Sequence, residues 1–238
     1  MKRKILLYAS GGVVMFGISI LLFFIESAIT VLPWSAYVLE QSESTTIQFT
    51  GDLIISPYGA EEELIDLFSS AKYEMKWWWY QITENDFILL FRNSSLLGRK
   101  ISLIVESETY GGNQKEFNTL QKKWDGSSIE LLDDEQMWTN FVHAKAMVID
   151  KKISLIASAN LSYPSLWRNR EYRFITRDTD IATNLSEIYQ KDRQWDVIEE
   201  IDIHPSLLIC PIDCRAKITH AIETATESIW IAIQYVED

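Results

Sequence analysis

The stretch of this chain with residue types and spacing able to do chemistry is His143-x-Lys145-x-x-x-x-Asp150. An imidazole can attack an electrophile or pass a proton, and an ammonium beside it can hold an anionic oxygen. In a strand alternate side chains share a face, so His143 and Lys145 point the same way. Val142, Ala144, Ala146 and Val148 then point into an apolar layer. The chain turns at Asp150-Lys151-Lys152-Ile153 and returns through Ser158 and Asn160. A hairpin symmetric about that turn sets Lys145 opposite Ser158 and His143 opposite Asn160, and opposite residues share a face. The patch so formed holds an imidazole, an ammonium, a hydroxyl and a carboxamide. That set suits a phosphodiester: a nucleophile or acid, a cation for the phosphoryl oxygens, and two neutral donors.

The elements that must position this hairpin follow from periodicity. Strands are expected over 47–56, 73–82, 100–105, 128–132 and 170–176. Helices are expected over 61–71, 84–97 and 114–124, and from the last strand to about Trp195, with a loop at 161–169. Alternating strand and helix predicts an α/β fold with a mixed, mostly parallel sheet flanked by helices. Trp77, Trp78 and Trp79 are successive in one strand, so at least one lies on the opposite sheet face from the others. Core packing is the reading preferred for them over a patch that dips into a membrane.

His143-x-Lys145-x4-Asp150, followed by Ser158-x-Asn160 and by Asn169-Arg170-Glu171, resembles the signature of the phospholipase D superfamily. A surface strand that carries His and Lys by accident would explain neither Asn160 nor the Asn-Arg-Glu run. The resemblance implies a two-step reaction: one histidine attacks phosphorus and forms a phosphohistidine, and a second protonates the leaving alcohol. It casts His143 as nucleophile or general acid and Lys145 as the phosphoryl-oxygen ligand. Ser158 and Asn160 become phosphate donors, and Glu171 orients an active-site imidazole through its second nitrogen. Asp150 completes the catalytic motif from the hairpin end, as a structural partner rather than a direct participant. Ala157 stands where the family usually has glycine. The family's chemistry mostly needs no metal or other cofactor, and the sequence holds no ligand cluster that demands one.

Residues 5–25 form an apolar run without a charge, long enough to span the ~30 Å hydrocarbon layer as a helix. Lys2, Arg3 and Lys4 precede it, which places the start in the cytoplasm and the rest outside. The expected layout is therefore a single-pass membrane protein: an uncleaved anchor and flanks over 1–34, a tether over 35–46, and a catalytic domain over 47–200 outside the cytoplasm. A cleaved signal peptide is the alternative. Cys210 and Cys214 fit no zinc pattern and read as unpaired or partly buried thiols, although an exported chain could pair them. A shift of 154 residues superposes Ile55-Ser56-Pro57 on Ile209-Cys210-Pro211, Leu64 on Ile218, Phe68 on Ile222 and Ala71 on Ala225. Residues 205–238 are accordingly expected to open a second, truncated phospholipase D-like domain, the partner domain belonging to the same longer chain.

The net charge of −12 argues against a sequence-blind grip on nucleic acid, which calls for a basic surface. A membrane-anchored phosphodiesterase or phosphatidyltransferase acting on phospholipid is therefore preferred. A membrane-tethered nuclease and a non-catalytic binding relative are the alternatives.

Overall fold

The computed structural model describes residues 5–8, 24–25, 28–29, 51–109, 114–135, 142–196, 198, 201–212 and 214–232. Strands are β1 (Ile5–Tyr8), β2 (Phe24–Ile25), β3 (Ala28–Ile29), β4 (Gly51–Ile55), β5 (Glu74–Trp79), β6 (Lys100–Val105), β7 (Ile129–Asp133), β8 (Lys145–Ile149), β9 (Ile153–Ala157), β10 (Tyr172–Thr176) and β11 (Ile229–Ala232). Helices are α1 (Ala60–Ser69), α2 (Asn85–Leu96), α3 (Lys115–Trp124), α4 (Tyr163–Trp167), α5 (Thr179–Arg193) and α6 (Cys214–Thr224). The chain divides into two compact units, residues 51–201 and residues 1–50 with 202–238.

The larger unit is built on one seven-stranded sheet, ordered β4-β10-β9-β8-β5-β6-β7. Its strands are mixed in direction, and the expected mostly parallel pairing is corrected. Five of the seven strands run one way, yet four of the six neighbouring pairs are antiparallel. The reason is that β8 and β10 return between strands that all point forward. One edge of the sheet thus collects the C-terminal ends of β4, β5, β6, β7 and β9 with the N-terminal ends of β8 and β10. Loops leaving that edge are where open α/β sheets hold ligands.

Both faces of the sheet are covered. Helices α1, α2 and α3 pack on one face and α5 on the other. Trp77 and Trp79 lie in the first layer with Phe68, Phe87 and Phe91, and the Trp77 and Phe91 rings meet edge to face at 3.8 Å. Trp78 lies in the second, against Tyr189, and its indole N–H donates to Asp192 Oδ2 at 2.6 Å. All three tryptophans are buried, so their alternation serves the two core layers rather than a membrane. Lys76 reaches the same layer and donates to Ser186 at 2.9 Å. Within the expected loop at 161–169 the structure has a short helix, α4, with proline in its first turn, where a fixed φ and a missing N–H cost nothing.

Of the expected anchor, the described residues Ile5–Tyr8 and Phe24–Ile25 are strand, not helix, and β1 pairs in parallel with β11. The remainder of the apolar run, and the tether at 35–46, lie outside the described residues. No helix among the described residues is long and apolar enough to cross a membrane. Cys210 and Cys214 form a disulfide, which corrects the expectation of free thiols. Their Cα atoms are 5.2 Å apart, within the range a disulfide needs. Helix α6 begins at Cys214, 154 positions after α1 begins at Ala60, the interval of the sequence repeat.

Asp192 is a buried carboxylate beneath Trp78, and burial pushes its pKa up to about 6 although the indole N–H pulls it down. A carboxyl whose folded pKa is raised contributes stability at low pH that is lost as pH rises through that value. Asp192→Asn keeps an acceptor for Trp78 and removes the desolvated charge. It is expected to raise Tm at pH 7.5 by about 2–4 °C per kcal/mol recovered, with the gain vanishing at pH 4. Thermal melts at the two pH values check this.

Candidate active site

Lys145 is the first residue of β8 and lies opposite Trp79 of β5, so it is walled by strands on both sides. Its side chain is 4 % exposed. The ammonium donates to the His143 carbonyl at 2.8 Å and stands 3.5 Å from both ring nitrogens of His143. Tyr80, the residue that follows β5, closes the other side. Its ring centre lies 4.8 Å from that of His143 and 5.3 Å from Lys145 Nζ. Burial, then the Lys145 charge, lowers the His143 pKa to about 4, so the imidazole is neutral near pH 7. Burial lowers Lys145 to about 7, opposed by the charge of Glu171.

The hairpin is in a different register from the one expected. Ala146 pairs with Ile156 and Ile149 with Ile153, so the ladder is centred on Lys151 and sits one residue out of step. The cause is the turn. Asp150 and Lys151 both take positive φ, and Lys152 N–H donates to the Ile149 carbonyl, which makes a tight turn one residue earlier. Asp150 is held there because its carboxylate accepts from the N–H groups of Lys72, Tyr73 and Glu74, each at 2.8 Å. The structure therefore puts Asp150 past the far end of β8 from His143, with the five strand residues Lys145–Ile149 between them. Burial raises its pKa, but these donors outweigh that and hold it below the ordinary carboxylate value.

One register step would carry Ser158 to the opposite face, but the strand has ended. Ser158 lies at a bend after β9. Its N–H donates to the Tyr172 carbonyl, and its hydroxyl donates to Glu171 Oε2 at 2.5 Å while accepting from Tyr172 N–H. Ser158 is thus paired with Glu171 at the start of β10 rather than set opposite Lys145. Asn160 is fixed by backbone contacts. Its N–H donates to Ser165 Oγ, and the next residue, Leu161, bridges to Ile82 just after β5. The Asn160 Oδ1 atom is buried with no hydrogen-bond partner. Ala144, expected in the apolar layer, is exposed, because regular strand begins only at Lys145.

Glu171 is largely buried. Desolvation raises its pKa, opposed by bonds from Ser158 and Asn169 and by the charges of Arg173 and Lys145. Arg173, which the sequence reading missed, is 0 % exposed. It donates to Ser56 Oγ and to the Ser165 carbonyl, tying the end of β4 and helix α4 to β10 beneath the site. Burial lowers its pKa to about 10, opposed by Glu171. A usable signal was present: Glu171 and Arg173 alternate on one strand face, and an arginine inside an otherwise apolar strand needs an anion nearby. Glu106 and Asp134 were missed as well. They are buried carboxyls at the ends of β6 and β7 that approach the chain just before His143.

Asp150→Ala removes three charge-assisted acceptor bonds and is expected to cost about 2–4 kcal/mol of stability. Chemical denaturation measures this. At a temperature where the variant is folded, phosphate-diester turnover should stay within about tenfold of the parent, one decade being about 1.4 kcal/mol. A loss as deep as that of a His143 variant would give Asp150 a direct role.

Comparison with known proteins bears on the family and the fold. A profile for the PLD-like domain of cardiolipin synthase matches residues 64–193, more than half of the chain. Cardiolipin synthase 1 of Staphylococcus epidermidis is 40 % identical over 52 residues, which is 22 % of this chain and 11 % of that protein. The fold resembles NucT from Helicobacter pylori, with a TM-score of 0.54, 23 % identity, and coverage of 63 % of this chain and 99 % of that one. It also resembles Nuc from Salmonella typhimurium, a phospholipase D family member, with a TM-score of 0.55, 18 % identity, and coverage of 61 % and 95 %. The chain therefore belongs to the family of cardiolipin synthase PLD-like domains, within the phospholipase D superfamily.

Proposed function

We propose that this chain cleaves or transfers phospholipid phosphodiesters, with His143 forming or resolving a phosphohistidine. The observation that carries the proposal is the His143–Lys145 pair at the sheet edge: a neutral imidazole whose two ring nitrogens are each 3.5 Å from a buried ammonium. A neutral imidazole has a free lone pair for attack on phosphorus, and the ammonium is placed for a non-bridging oxygen. Ser158 and Asn160 flank the same edge, and Glu171 holds Ser158. The orphaned Asn160 Oδ1 supports a polar ligand there, since a buried unsatisfied group costs about 1–3 kcal/mol until something meets it. The chemistry needs two histidines. On this reading His143 supplies one, and a second phospholipase D-like domain supplies the other. The repeat interval shared by α1 and α6 supports such a domain starting near 205.

Phospholipid is favoured over nucleic acid by the surface beside the site. Tyr58, Tyr163 and Trp167 are 71 %, 51 % and 46 % exposed. Arg168 lies over the Tyr163 ring and Arg170 over the Tyr58 ring, with guanidinium carbons 5.3 and 5.4 Å from the ring centres. These residues leave the same edge of the sheet as Ser158 and Glu171, after β4 and β9 and before β10. Exposed tyrosine, tryptophan and arginine suit the headgroup layer of an anionic bilayer. Residues 163–170 hold two arginines and no acid in a protein of net charge −12. Membrane attachment through residues 5–25, with the domain outside the cytoplasm, is part of this proposal. It rests on the charge-free run behind Lys2, Arg3 and Lys4, and the Cys210–Cys214 disulfide fits an oxidising compartment.

The protein is to be assayed on phosphatidylglycerol vesicles, on single-stranded DNA and on bis-p-nitrophenyl phosphate, with its mass measured in solution. Turnover on phosphatidylglycerol is expected from assemblies that bring two motifs together, and His143→Ala should abolish it. Lys145→Ala should cost about a hundredfold in rate, on the order of 3 kcal/mol for one lost oxyanion donor. Turnover of DNA but not lipid would make the nuclease reading correct. Turnover from a monomer with a single motif would end the two-histidine account.

The paired change Tyr163→Ala, Trp167→Ala addresses the surface alone. It should slow turnover on vesicles by about tenfold, while hydrolysis of the soluble diester changes less than about twofold. Equal losses on both substrates would assign these side chains to folding.

A further inference from the structure

Glu106 and Asp134 follow two neighbouring parallel strands, β6 and β7, which are in register as far as Val105 and Asp133. Both are buried, at 7 % and 6 % exposure. The charge of Asp134 acts on Glu106. They also converge on one donor: the Val142 N–H lies 3.1 Å from Glu106 Oε2 and 3.2 Å from Asp134 Oδ2. The other oxygens are engaged too. Asp134 Oδ1 accepts from the Ser107 N–H and hydroxyl, both at 3.0 Å, and Glu106 Oε1 accepts from Glu108 N–H at 3.2 Å. Two buried carboxyls that converge on one N–H repel each other when both are ionised, which favours a proton on one of them.

The place of this pair in the fold gives it a task. Val142 immediately precedes His143, and residues 142–144 lie outside the strand ladder, which starts at Lys145. His143 therefore lies just outside the ladder that orders the residues after it. Its carbonyl is held by Lys145 Nζ, and its preceding peptide is held by Glu106 and Asp134. We propose that the Glu106–Asp134 pair, sharing one proton, is a positioning clamp that sets His143 against Lys145, and that removing this proton releases the segment. The inference rests on the reading of His143 as the reacting imidazole. Among the described residues, the ionisable groups around the clamped segment are Asp133 and Glu108, adjacent along the strand ends, His143, one residue past the clamped peptide, and Lys145, which holds the His143 carbonyl. Lys145 itself falls to about 7, so the Glu106→Gln comparison separates its effect from that of the pair. Burial, then Asp134, pushes Glu106 up to about 7, against the N–H groups of Glu108 and Val142. A carboxyl raised in this way holds the folded arrangement at low pH and loses that contribution as pH rises through 7.

The test is amide hydrogen exchange at Val142 in the full chain, corrected for the intrinsic pH dependence of exchange and read at pH 6 and pH 8.5. In the parent protein, protection should fall by about tenfold or more at the higher pH, a change of about 1.4 kcal/mol or more. Glu106→Gln puts its oxygen on the Glu108 N–H and its NH2 against Asp134, whose Oδ2 still accepts from Val142, with nothing to titrate at this position. It should keep the protection at both pH values. Glu106→Ala, compared at pH 6 where it folds, should lower kcat by about a hundredfold, the cost of misplacing a reacting group by about 1 Å, with KM little changed. Protection in the parent that does not respond to pH, or that Glu106→Gln destroys at pH 6, would overturn the clamp. Exchange is read without any substrate. A protein that shows the pH-dependent protection but no phosphodiester turnover would therefore refute the proposed function and leave the clamp standing.

Discussion

A buried ammonium governs the design of this domain. Lys145 is 4 % exposed, and a lone charge at that depth costs several kcal/mol in lost hydration. Three groups offset the cost: the His143 carbonyl, the face of the Tyr80 ring, and the negative potential of Glu171. Each comes from a different part of the chain, and they meet only if β5, β8 and β10 reach the same edge of one sheet. The sheet order does this. β8 is laid antiparallel between β5 and β9, so it starts where they end. The same constraint explains why Glu171 cannot be left ionised alone. It is buried beside Arg173 and Lys145, with Ser158 and Asn169 as donors, so the site is a network rather than a pair.

Beneath that network lies a second buried cation with a different role. Arg173 joins the end of β4 through Ser56 and the loop after β9 through Ser165, and it pairs with Ala157 across β9 and β10. Arginine holds its charge at depths where lysine gives it up, and its planar fork can reach two segments at once. The fall in Lys145 to about 7 against about 10 for Arg173 shows the contrast within one site. The titratable cation faces the reacting centre, and the persistent one fixes the framework. Asp150, at the opposite edge of the sheet, resembles Arg173 in function. It is an anion held by fixed donors, and it sets the register of the hairpin rather than taking part in the chemistry.

Much of this was legible in the sequence. The strand expected over 100–105 matches β6 at both ends, and the 114–124 helix matches α3 within a residue, because their apolar spacing is regular and their flanks are clear turns. The His143–Lys145 adjacency was expected from strand alternation and is present, although regular strand begins only at Lys145. What failed was symmetry. Counting outward from an assumed turn gave a register one residue off, because the turn is placed by Asp150 reaching for Lys72, Tyr73 and Glu74, residues 76 to 78 positions away. Long-range bonds of this kind leave no local trace. Arg173, Glu106 and Asp134 were missed for the same reason. Each looks like an ordinary polar residue near a strand end, and only the sheet order shows that it is buried and what it meets. The parallel pairing was overestimated because alternation of strand and helix reports connection length, and a returning hairpin inserts antiparallel neighbours without disturbing it.

On the proposed reading, these charges also imply how the site meets its substrate. Without substrate the pocket is close to neutral: the imidazole is uncharged near pH 7, and the ammonium titrates close to that pH against a partly shielded carboxylate. A phosphodiester brings one negative charge into this dry space. Beside that charge the protonated form of Lys145 is favoured, so binding and proton uptake are the same equilibrium seen from two sides. The desolvation that weakens the free ammonium strengthens its attraction to the phosphoryl oxygen once both are enclosed, since screening by water is lost for both. As charge on the phosphoryl oxygens grows in the transition state, their attraction to the protonated Lys145 grows with it. Only that increase, and not the attraction already made to the bound phosphodiester, lowers the barrier.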